Sequence, residues 1–262
     1  MFVNDYPVWR STLLYGEGVG HAFSTRIGGV SREAHTRTMN TGFYRGDSDE
    51  VVRENIRLLC SYAWLTDNVV GTPQIHSADI RVVTPENVGE GIVRDVPYPC
   101  DGFVTEHKGV TLIVRVADCA PILLKGTRAD GSHVVGAVHA GWRGAAQGIA
   151  PKCAKMLFDM GAEKVVAAIG PSIGSCCYQV GEDMRDSVAA LQGREFADRH
   201  ITEREGHLYA NVSDISEELM REAGVSEIDV LDECTNCKPW LYHSHRATGG
   251  VRGTMGAVIG IK

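Results

Sequence analysis

The sequence predicts an α+β fold in a single domain, with a mixed or antiparallel sheet. Segments typical of strands and helices are mixed without the regular strand–helix–strand rhythm of a doubly wound fold, and the strongest local pairing is a hairpin. The 262 residues contain no internal repeat, low-complexity tract or Pro/Ser-rich linker that would divide the chain. We therefore expect one domain over residues 1–262.

Four helices are expected from amphipathic spacing and from residues that begin or end helices. Asp47 and Ser48 precede an alternation of apolar and charged residues that reaches Tyr62, which is typical of a capped surface helix. The other three are expected over 144–160, 183–191 and 213–223.

The strands are expected between these helices, in short segments rich in β-branched and apolar residues. They lie at 80–84, 102–105, 110–116, 134–139, 165–169, 228–231 and 256–261.

The expected hairpin is important because its arms carry two potential metal ligands. A symmetric loop over 126–132, centred on Ala129, would place Cys119 opposite His139 and Leu123 opposite Val135. Directly opposed residues have Cβ atoms about 4.5 to 5.5 Å apart on one face, so both side chains could reach one ion. A slip of one residue would turn His139 to the other face. Pro121 removes one ladder hydrogen bond, which indicates an edge or a bulge.

Composition excludes several classes of protein. The net charge of -7 comes from interspersed acidic and basic residues, so no basic stripe is available for nucleic acid or an anionic membrane. No apolar run approaches the roughly 18 residues needed to span a bilayer. Residues 1–10 have no apolar core typical of a signal peptide. Eight cysteines without an export signal favour reduced thiols, and we expect a cytoplasmic protein.

Three short phrases place a thiol or an imidazole beside turn-forming residues, at His76, Cys119 and His139. One thiolate and two imidazoles suit a catalytic zinc site with an open fourth position. Spacing alone does not establish His76 as a ligand. An equally compatible interpretation makes both histidines ordinary buried residues and Cys119 a small core residue.

Further candidate site residues follow His139 and lie near the C-terminus. Arg143 and the amides of a helix beginning at Gly144 could form an anion pocket, although Arg143 could also cap a surface turn. His245 and Arg246 could line a substrate cleft or belong to a solvated loop.

Cys234 and Cys237 form a CxxC motif, which indicates zinc or redox chemistry only with a second pair at suitable spacing. The sequence shows no such pair, so a structural role is expected for this motif. Cys176 and Cys177 would point to opposite faces of an extended segment, so joint ligation is not expected. The glycine loop before them lacks both common nucleotide-phosphate motifs.

Taken together, these phrases resemble one family along nearly the whole chain. That family is the laccase-domain, or multicopper polyphenol oxidoreductase, family, whose members are understood as purine nucleoside phosphorylases with adenosine deaminase activity. The resemblance is carried by Phe23-Ser24-Thr25-Arg26 with Gly28-Gly29-Val30-Ser31, Gln74-Ile75-His76, Ala117-Asp118-Cys119, His139-Ala140-Gly141-Trp142-Arg143-Gly144, Ile169-Gly170-Pro171 with Cys176-Cys177-Tyr178, and Cys234-Thr235-Asn236-Cys237.

The resemblance implies one catalytic domain over 1–262, with a two-sheet mixed core flanked by helices in four α/β/β/α layers, as in cysteine-hydrolase-like toxins. It implies a metal held by His76, Cys119 and His139, and a substrate site that includes Arg26. The toxin likeness also keeps Cys119 open as a nucleophile. The family's C-terminal Ser-Tyr-Arg-Arg-Asp-Gly phrase is replaced by 244–249, Ser-His-Arg-Ala-Thr-Gly, which puts substrate preference in doubt.

The leading functional hypothesis is zinc-dependent phosphorolysis of adenosine, inosine and methylthioadenosine, with deamination of adenosine. His139 and Cys119 would hold the ion, Asp118 would carry a proton and Arg143 with Gly144 would bind phosphate. His245 and Arg246 would contact the nucleoside. The expected partners are small molecules, without nucleic acid or membrane, and the chain would be a monomer or homodimer.

Three alternatives remain open. A copper-dependent polyphenol oxidase would use the same ligand types, although ten scattered histidines are few for several copper ions. A cysteine hydrolase or amidase acting on a peptidoglycan precursor would use Cys119 as nucleophile and His139 as base. A non-catalytic protein could retain a structural zinc.

Overall fold

The computed structural model describes residues 1–16 and 18–262. The strands in chain order are β1 (Phe2–Asp5), β2 (Val8–Ser11), β3 (Val19–Ser24), β4 (Val69–Val70), β5 (Ile80–Val82), β6 (Gly102–Thr105), β7 (Thr111–Val116), β8 (Ala120–Thr127), β9 (His133–Ala140), β10 (Lys164–Ile169), β11 (Gln179–Val180), β12 (Ile201–Arg204), β13 (His207–Ala210), β14 (Glu227–Val230) and β15 (Met255–Ile261).

The helices are α1 (Asp49–Tyr62), α2 (Trp142–Ala146), α3 (Ile149–Asp159), α4 (Glu182–Gln192), α5 (Arg194–His200), α6 (Val212–Glu222) and α7 (His245–Thr248), with a 3-10 turn at Pro85–Asn87. Within the described ranges, no helix combines the length and the apolar character needed to cross a bilayer.

Two six-stranded sheets form the centre of the molecule. The first has the order β1-β2-β3-β15-β7-β4 and the second the order β14-β10-β8-β9-β6-β5. Most neighbours are antiparallel, but β4 with β7, β5 with β6 and β10 with β14 are parallel. The predicted α+β class with mixed sheets in a single domain is confirmed. The likeness to cysteine-hydrolase-like toxins stays a prediction.

The alternation of side chains along each strand explains the layers. Phe23 and Leu112 of the first sheet share one buried cluster with Phe103 and Leu123 of the second, so the two sheets face each other. The neighbouring Ile113 points the other way, into a cluster with α1. The outer face of the second sheet is covered in the same way by α3 and α6. The order of layers is therefore helix, sheet, sheet, helix.

The predicted helix over 144–160 is two helices. The structure ends α2 at Ala146 and begins α3 at Ile149, with Gly148 between them at a φ of 73°. Pro151 has no N–H to continue a helical ladder from Gln147, but it is tolerated in the first turn of a new helix. Gly148 and Pro151 therefore interrupt the helix that the apolar spacing predicted as continuous.

The predicted hairpin is present, but its register was wrong by two residues. Pro121, rather than Cys119, lies opposite His139, and Leu123 pairs with Ala137 rather than Val135. The ladder continues to a Thr127–His133 pair, because a tight turn with Gly131 at a φ of 81° closes the loop. A shift of two residues keeps every side chain on the same face of the sheet, so the predicted convergence of Cys119 and His139 is not affected by the error in register.

Sequence patterns missed several elements. The strands β1 to β3 were not predicted, and β3 is buried along its whole length, which removes the alternation that marks a half-exposed strand. The small sheet β11-β13-β12 and the helices α5 and α7 were also missed. The other predicted helices and strands are present, with ends that differ by a few residues.

Candidate metal and active site

Three side chains from separate segments meet at one end of the second sheet. His76 lies in the loop before β5, Cys119 lies in the turn between β7 and β8, and His139 lies near the end of β9. Their ligand atoms all lie within 4.8 Å of one another, and the Sγ of Cys119 is 3.8 Å from the Nε2 of His76. The predicted trio is therefore brought together.

Tight backbone geometry places two of these side chains. His76 has a φ of 63° and Asp118, directly before Cys119, has a φ of 85°. A non-glycine residue in this region costs on the order of 1 to 3 kcal/mol, and such costs concentrate at functional sites. Gly141 completes the packing, because a Cβ at this position would lie 2.4 Å from Cδ2 of His76. The chain thus bends sharply to present the cluster.

Asp101 connects the two histidine segments and was missed by sequence reasoning. Its fully buried carboxylate accepts hydrogen bonds from the backbone N–H groups of Ile75, His76 and Ser77. The same carboxylate lies 2.8 Å from the Nδ1 of His139. This contact leaves the Nε2 of His139 for a metal, which is the usual carboxylate–histidine arrangement. The only signal in the sequence is an acidic residue directly before a predicted strand.

The charges within the cluster stabilise one another. Burial opposes ionisation of Asp101, but hydrogen bonds from His139 and Ser77 outweigh it and lower the pKa of Asp101 to about 2. Burial also disfavours the Cys119 thiolate, yet the neighbouring His139 cation lowers the pKa of Cys119 to about 6. Burial disfavours the His139 cation, but Cys119 and Asp101 raise its pKa to about 9. The site therefore favours a thiolate.

The cluster opens into a large cavity of about 1320 Å³. Its walls include the aromatic rings of Phe43 and Tyr178, and they contain more arginines than acidic residues. The arginines are Arg45, Arg53, Arg94, Arg115, Arg246 and Arg252, and the acidic residues are Asp49, Asp95 and Asp118. The cavity can thus accommodate an anion next to an aromatic group. Of these arginines, only Arg246 was predicted.

The predicted substrate residues are distributed unevenly around the cluster. Arg143 lines a smaller cavity of about 340 Å³ with His76 and Cys119, and its guanidinium lies 4.3 Å from the Trp142 ring centroid. His245 and Arg246 line the large cavity. The Arg246 guanidinium donates to the carbonyls of Cys177 and Gln179.

Two predicted residues lie apart from the lining of both cavities. Gly144 is buried, and a Cβ there would lie 2.5 Å from the Ser77 carbonyl oxygen, so it serves close packing. Arg26 donates to the carbonyls of Arg37 and Pro239. Their roles in substrate binding stay predictions.

Asp118 connects the cluster to the C-terminal segment. Its Oδ1 accepts a hydrogen bond from Thr235 at 2.6 Å, and its Oδ2 accepts one from the backbone N–H of Arg246 at 2.7 Å. Each carboxylate oxygen has a second lone pair, so capacity for a proton remains. Asp118 also lines the large cavity.

A known protein family matches this chain over most of its length. The model of the family described as multi-copper polyphenol oxidoreductase laccase matches residues 20–262. The chain belongs to this family. A relative named purine nucleoside phosphorylase from Deinococcus radiodurans is 31% identical over 245 residues, covering 93% of this chain and 89% of the relative. Purine nucleoside phosphorylase YlmD from Geobacillus stearothermophilus is 33% identical over 252 residues, covering 93% and 90%.

Two solved structures share the whole fold of this chain. The Bacillus licheniformis protein YfiH superposes with a TM-score of 0.87 at 29% identity, covering 100% of this chain and 99% of that one. YlmD from Geobacillus stearothermophilus has a TM-score of 0.84 at 29% identity, covering 99% and 98%.

The donor set of this laccase-family chain suits a single metal ion. Two imidazoles and one thiolate with mutually close ligand atoms match the ligands that zinc and copper prefer. Among the described residues, the other group of three or more potential ligands consists of four cysteines without histidine. The described residues therefore offer one histidine-containing site, whereas a multicopper centre needs several.

Proposed function

We propose that this chain is a zinc-dependent purine nucleoside phosphorylase that also deaminates adenosine. The single observation that carries the proposal is the position of the His76, Cys119 and His139 cluster, which opens into a cavity rich in arginine and bearing aromatic rings. Names of relatives that cover nearly the whole chain support the phosphorylase activity.

The three side chains would hold one zinc ion, which supplies Lewis-acid chemistry and can lower the pKa of water to about 7. Asp101 holds the His139 ring through Nδ1, so Nε2 would be the atom that binds the ion. The same carboxylate holds the loop of His76 through three backbone N–H groups. No fourth protein ligand belongs to this group among the described residues, which supports a catalytic site.

In phosphorolysis, a phosphate oxygen forms a bond to the ribose carbon while the bond from that carbon to the purine nitrogen breaks. The base leaves with a proton, and ribose 1-phosphate forms. Arg143 beside the cluster, with Arg246 and Arg252 on the cavity wall, would bind the phosphate through charge-assisted hydrogen bonds. Phe43 and Tyr178 offer faces on which the purine can stack.

In deamination, water adds to the purine carbon that bears the amino group, and ammonia leaves to give inosine. The water loses both protons: one passes to the ring nitrogen next to that carbon, and the other must move to the departing amino nitrogen. Asp118 lines the cavity directly before Cys119 in the chain, and we assign it this transfer. Its hydrogen bonds from Thr235 and Arg246 would fix its position.

The decisive experiment incubates zinc-loaded and metal-stripped protein with adenosine, with and without phosphate, and separates the products by chromatography. Adenine and ribose 1-phosphate that require both zinc and phosphate support the phosphorylase. Inosine formed in either buffer supports the deaminase. Absence of all three products from zinc-loaded protein contradicts both activities. Phenol oxidation that requires stoichiometric copper would instead support a polyphenol oxidase.

A second candidate is a cysteine hydrolase acting on an amide, such as one in a peptidoglycan precursor. One observation favours it: Cys119 neighbours His139, which in turn contacts Asp101. A thiolate, a base and an orienting carboxylate in this order form a nucleophilic triad. Metal-free protein that hydrolyses an amide and loses this activity on alkylation supports it. Activity that appears only with zinc contradicts it.

We further propose a cytoplasmic monomer or homodimer that acts on small molecules and not on nucleic acid or membranes. The eight free cysteines suit a reducing compartment. The interspersed charges offer no basic stripe for a polyanion.

A further inference from the structure

A second cluster of potential ligands lies outside the site described above. Cys176, Cys177, Cys234 and Cys237 bring four sulfur atoms within 4.8 Å of one another. The Sγ of Cys237 lies 3.6 Å from that of Cys176 and 3.3 Å from that of Cys177. Four thiolates around one zinc ion at about 2.3 Å would be about 3.8 Å apart, so the spacing suits a tetrahedral site.

This convergence corrects the expectation that Cys176 and Cys177 point apart. The expectation assumed an extended segment, but the chain turns here, with the N–H groups of Cys177 and Tyr178 donating to the Gly174 carbonyl. In a turn, adjacent side chains need not lie on opposite faces. The second cysteine pair that a zinc-binding CxxC motif needs is therefore this adjacent pair, at least 57 positions away in the chain.

One backbone N–H group and two guanidinium groups lie beside the four cysteines. The backbone N–H of Gly174 donates to the Sγ of Cys234 at 3.4 Å, which is the type of contact that stabilises a ligating thiolate. Four thiolates and one divalent cation carry a net charge of -2. Arg204 and Arg246 donate to the carbonyls of Cys176 and Cys177, so two guanidinium groups stand beside that charge.

We propose that these four cysteines bind one structural zinc ion, separate from the ion at His76, Cys119 and His139. The ion would join the loop after β10 to the loop after β14, which also meet through a bridge of Ser172 with Cys234. The first loop carries Tyr178 and the second carries Thr235, which donates to Asp118. A closed site with four protein ligands suits this joining role.

Metal analysis of the full chain tests the proposal. Wild-type protein purified under reducing conditions with zinc should contain about two zinc ions per chain. The Cys176→Ser/Cys237→Ser variant should lose half of this zinc, and the His76→Ala/Cys119→Ala variant should lose the other half. The Cys60→Ala variant is the matched control, because Cys60 is buried in α1, and it should keep both ions.

X-ray absorption at the zinc edge keeps the test valid if the serine variant fails to fold. The zinc remaining in His76→Ala/Cys119→Ala should be surrounded by sulfur alone, at about 2.3 Å. Nitrogen or oxygen neighbours there would overturn the proposal. So would a His76→Ala/Cys119→Ala variant that contains no zinc, iron in place of zinc, or a disulfide among the four cysteines in reduced, zinc-supplied protein.

Discussion

The side chains of Asp101 and His139 are in contact through Oδ1 and Nδ1 at 2.8 Å, and the backbone N–H of His139 also donates to the carbonyl of Asp101 at 2.8 Å. Since the same carboxylate holds the backbone of His76, one buried residue fixes both imidazoles of the proposed zinc site. The geometry of the site therefore depends on a side chain that does not itself belong to the metal cluster.

Replacing Asp101 with Asn should weaken zinc binding about 10- to 100-fold, because loss of an outer carboxylate leaves the His139 ring free to take the wrong tautomer. Competition with a chromophoric chelator would measure the change. Asp79→Asn, which changes an exposed carboxylate in the loop that carries His76, is the control and should bind zinc normally. Unchanged affinity in Asp101→Asn would show that the carboxylate does not orient the ligand.

Gly141→Ala should also weaken zinc binding, by at least about tenfold, because the new methyl group would occupy the position of the His76 ring. The backbone there has an ordinary φ of -72°, so the fold itself should tolerate alanine. Chelator competition and thermal unfolding of the metal-free protein would separate the two effects. Equal zinc affinity in mutant and wild type would mean that the His76 ring does not bind zinc from the position that it occupies beside Gly141.

Arg143→Ala should lower kcat/KM for phosphate about 10- to 100-fold, as expected for one lost charge-assisted hydrogen bond. Deamination of adenosine uses no phosphate, so its rate should not change. Initial rates for both reactions on one protein preparation provide the comparison. Arg57→Ala, which removes an exposed arginine on α1, is the control. A parallel loss of both activities would argue against a phosphate-binding role.

The buried His21 should make stability depend on pH. Burial, together with Arg10 and Lys125, lowers the pKa of His21 to about 3, against about 6.5 in the unfolded chain. Between these values the unfolded state binds more protons, so stability is present above pH 6.5 and is lost as pH falls below it. The expected loss from His21 is about 1 kcal/mol between pH 7.5 and 5.5.

His21→Gln can still accept the hydrogen bond that Ser11 donates to the ring, but it does not titrate. Its urea unfolding at pH 7.5 and pH 5.5 should therefore show a loss about 1 kcal/mol smaller than that of the wild type. The same loss in both proteins would contradict a neutral buried His21.

Much of the fold was predictable because local patterns coincide with the tertiary environment. The amphipathic spacing of α1 and α6 matches the single face that each buries. The register of β8 and β9 was not predictable from an assumed symmetric loop, because the turn depends on Gly131 adopting a positive φ. The break at Gly148 shows the same limit, since one residue with a positive φ overrides a continuous apolar pattern.

The metal ligands of the candidate site were predictable from their residue types. Residues whose roles depend on long-range contacts were not. His76, Cys119 and His139 were singled out by residue type and family resemblance, and they converge. Asp101 was missed because its importance comes from contacts with the loop of His76 and with His139 on β9, which are distant from it in the chain. Arg45 and Arg252 were missed because nothing in their local sequence marks the cavity that they line.

The proposed zinc site can be tested most directly by an anomalous-scattering crystal structure of zinc-loaded protein, with data collected on both sides of the zinc absorption edge. We expect an ion bonded to Nε2 of His76, Nε2 of His139 and Sγ of Cys119, with a fourth ligand that is not protein and that lies toward the arginine-rich cavity. An ion enclosed by four protein ligands at this position, or a Cys119 sulfur directed away from both imidazoles, would contradict it.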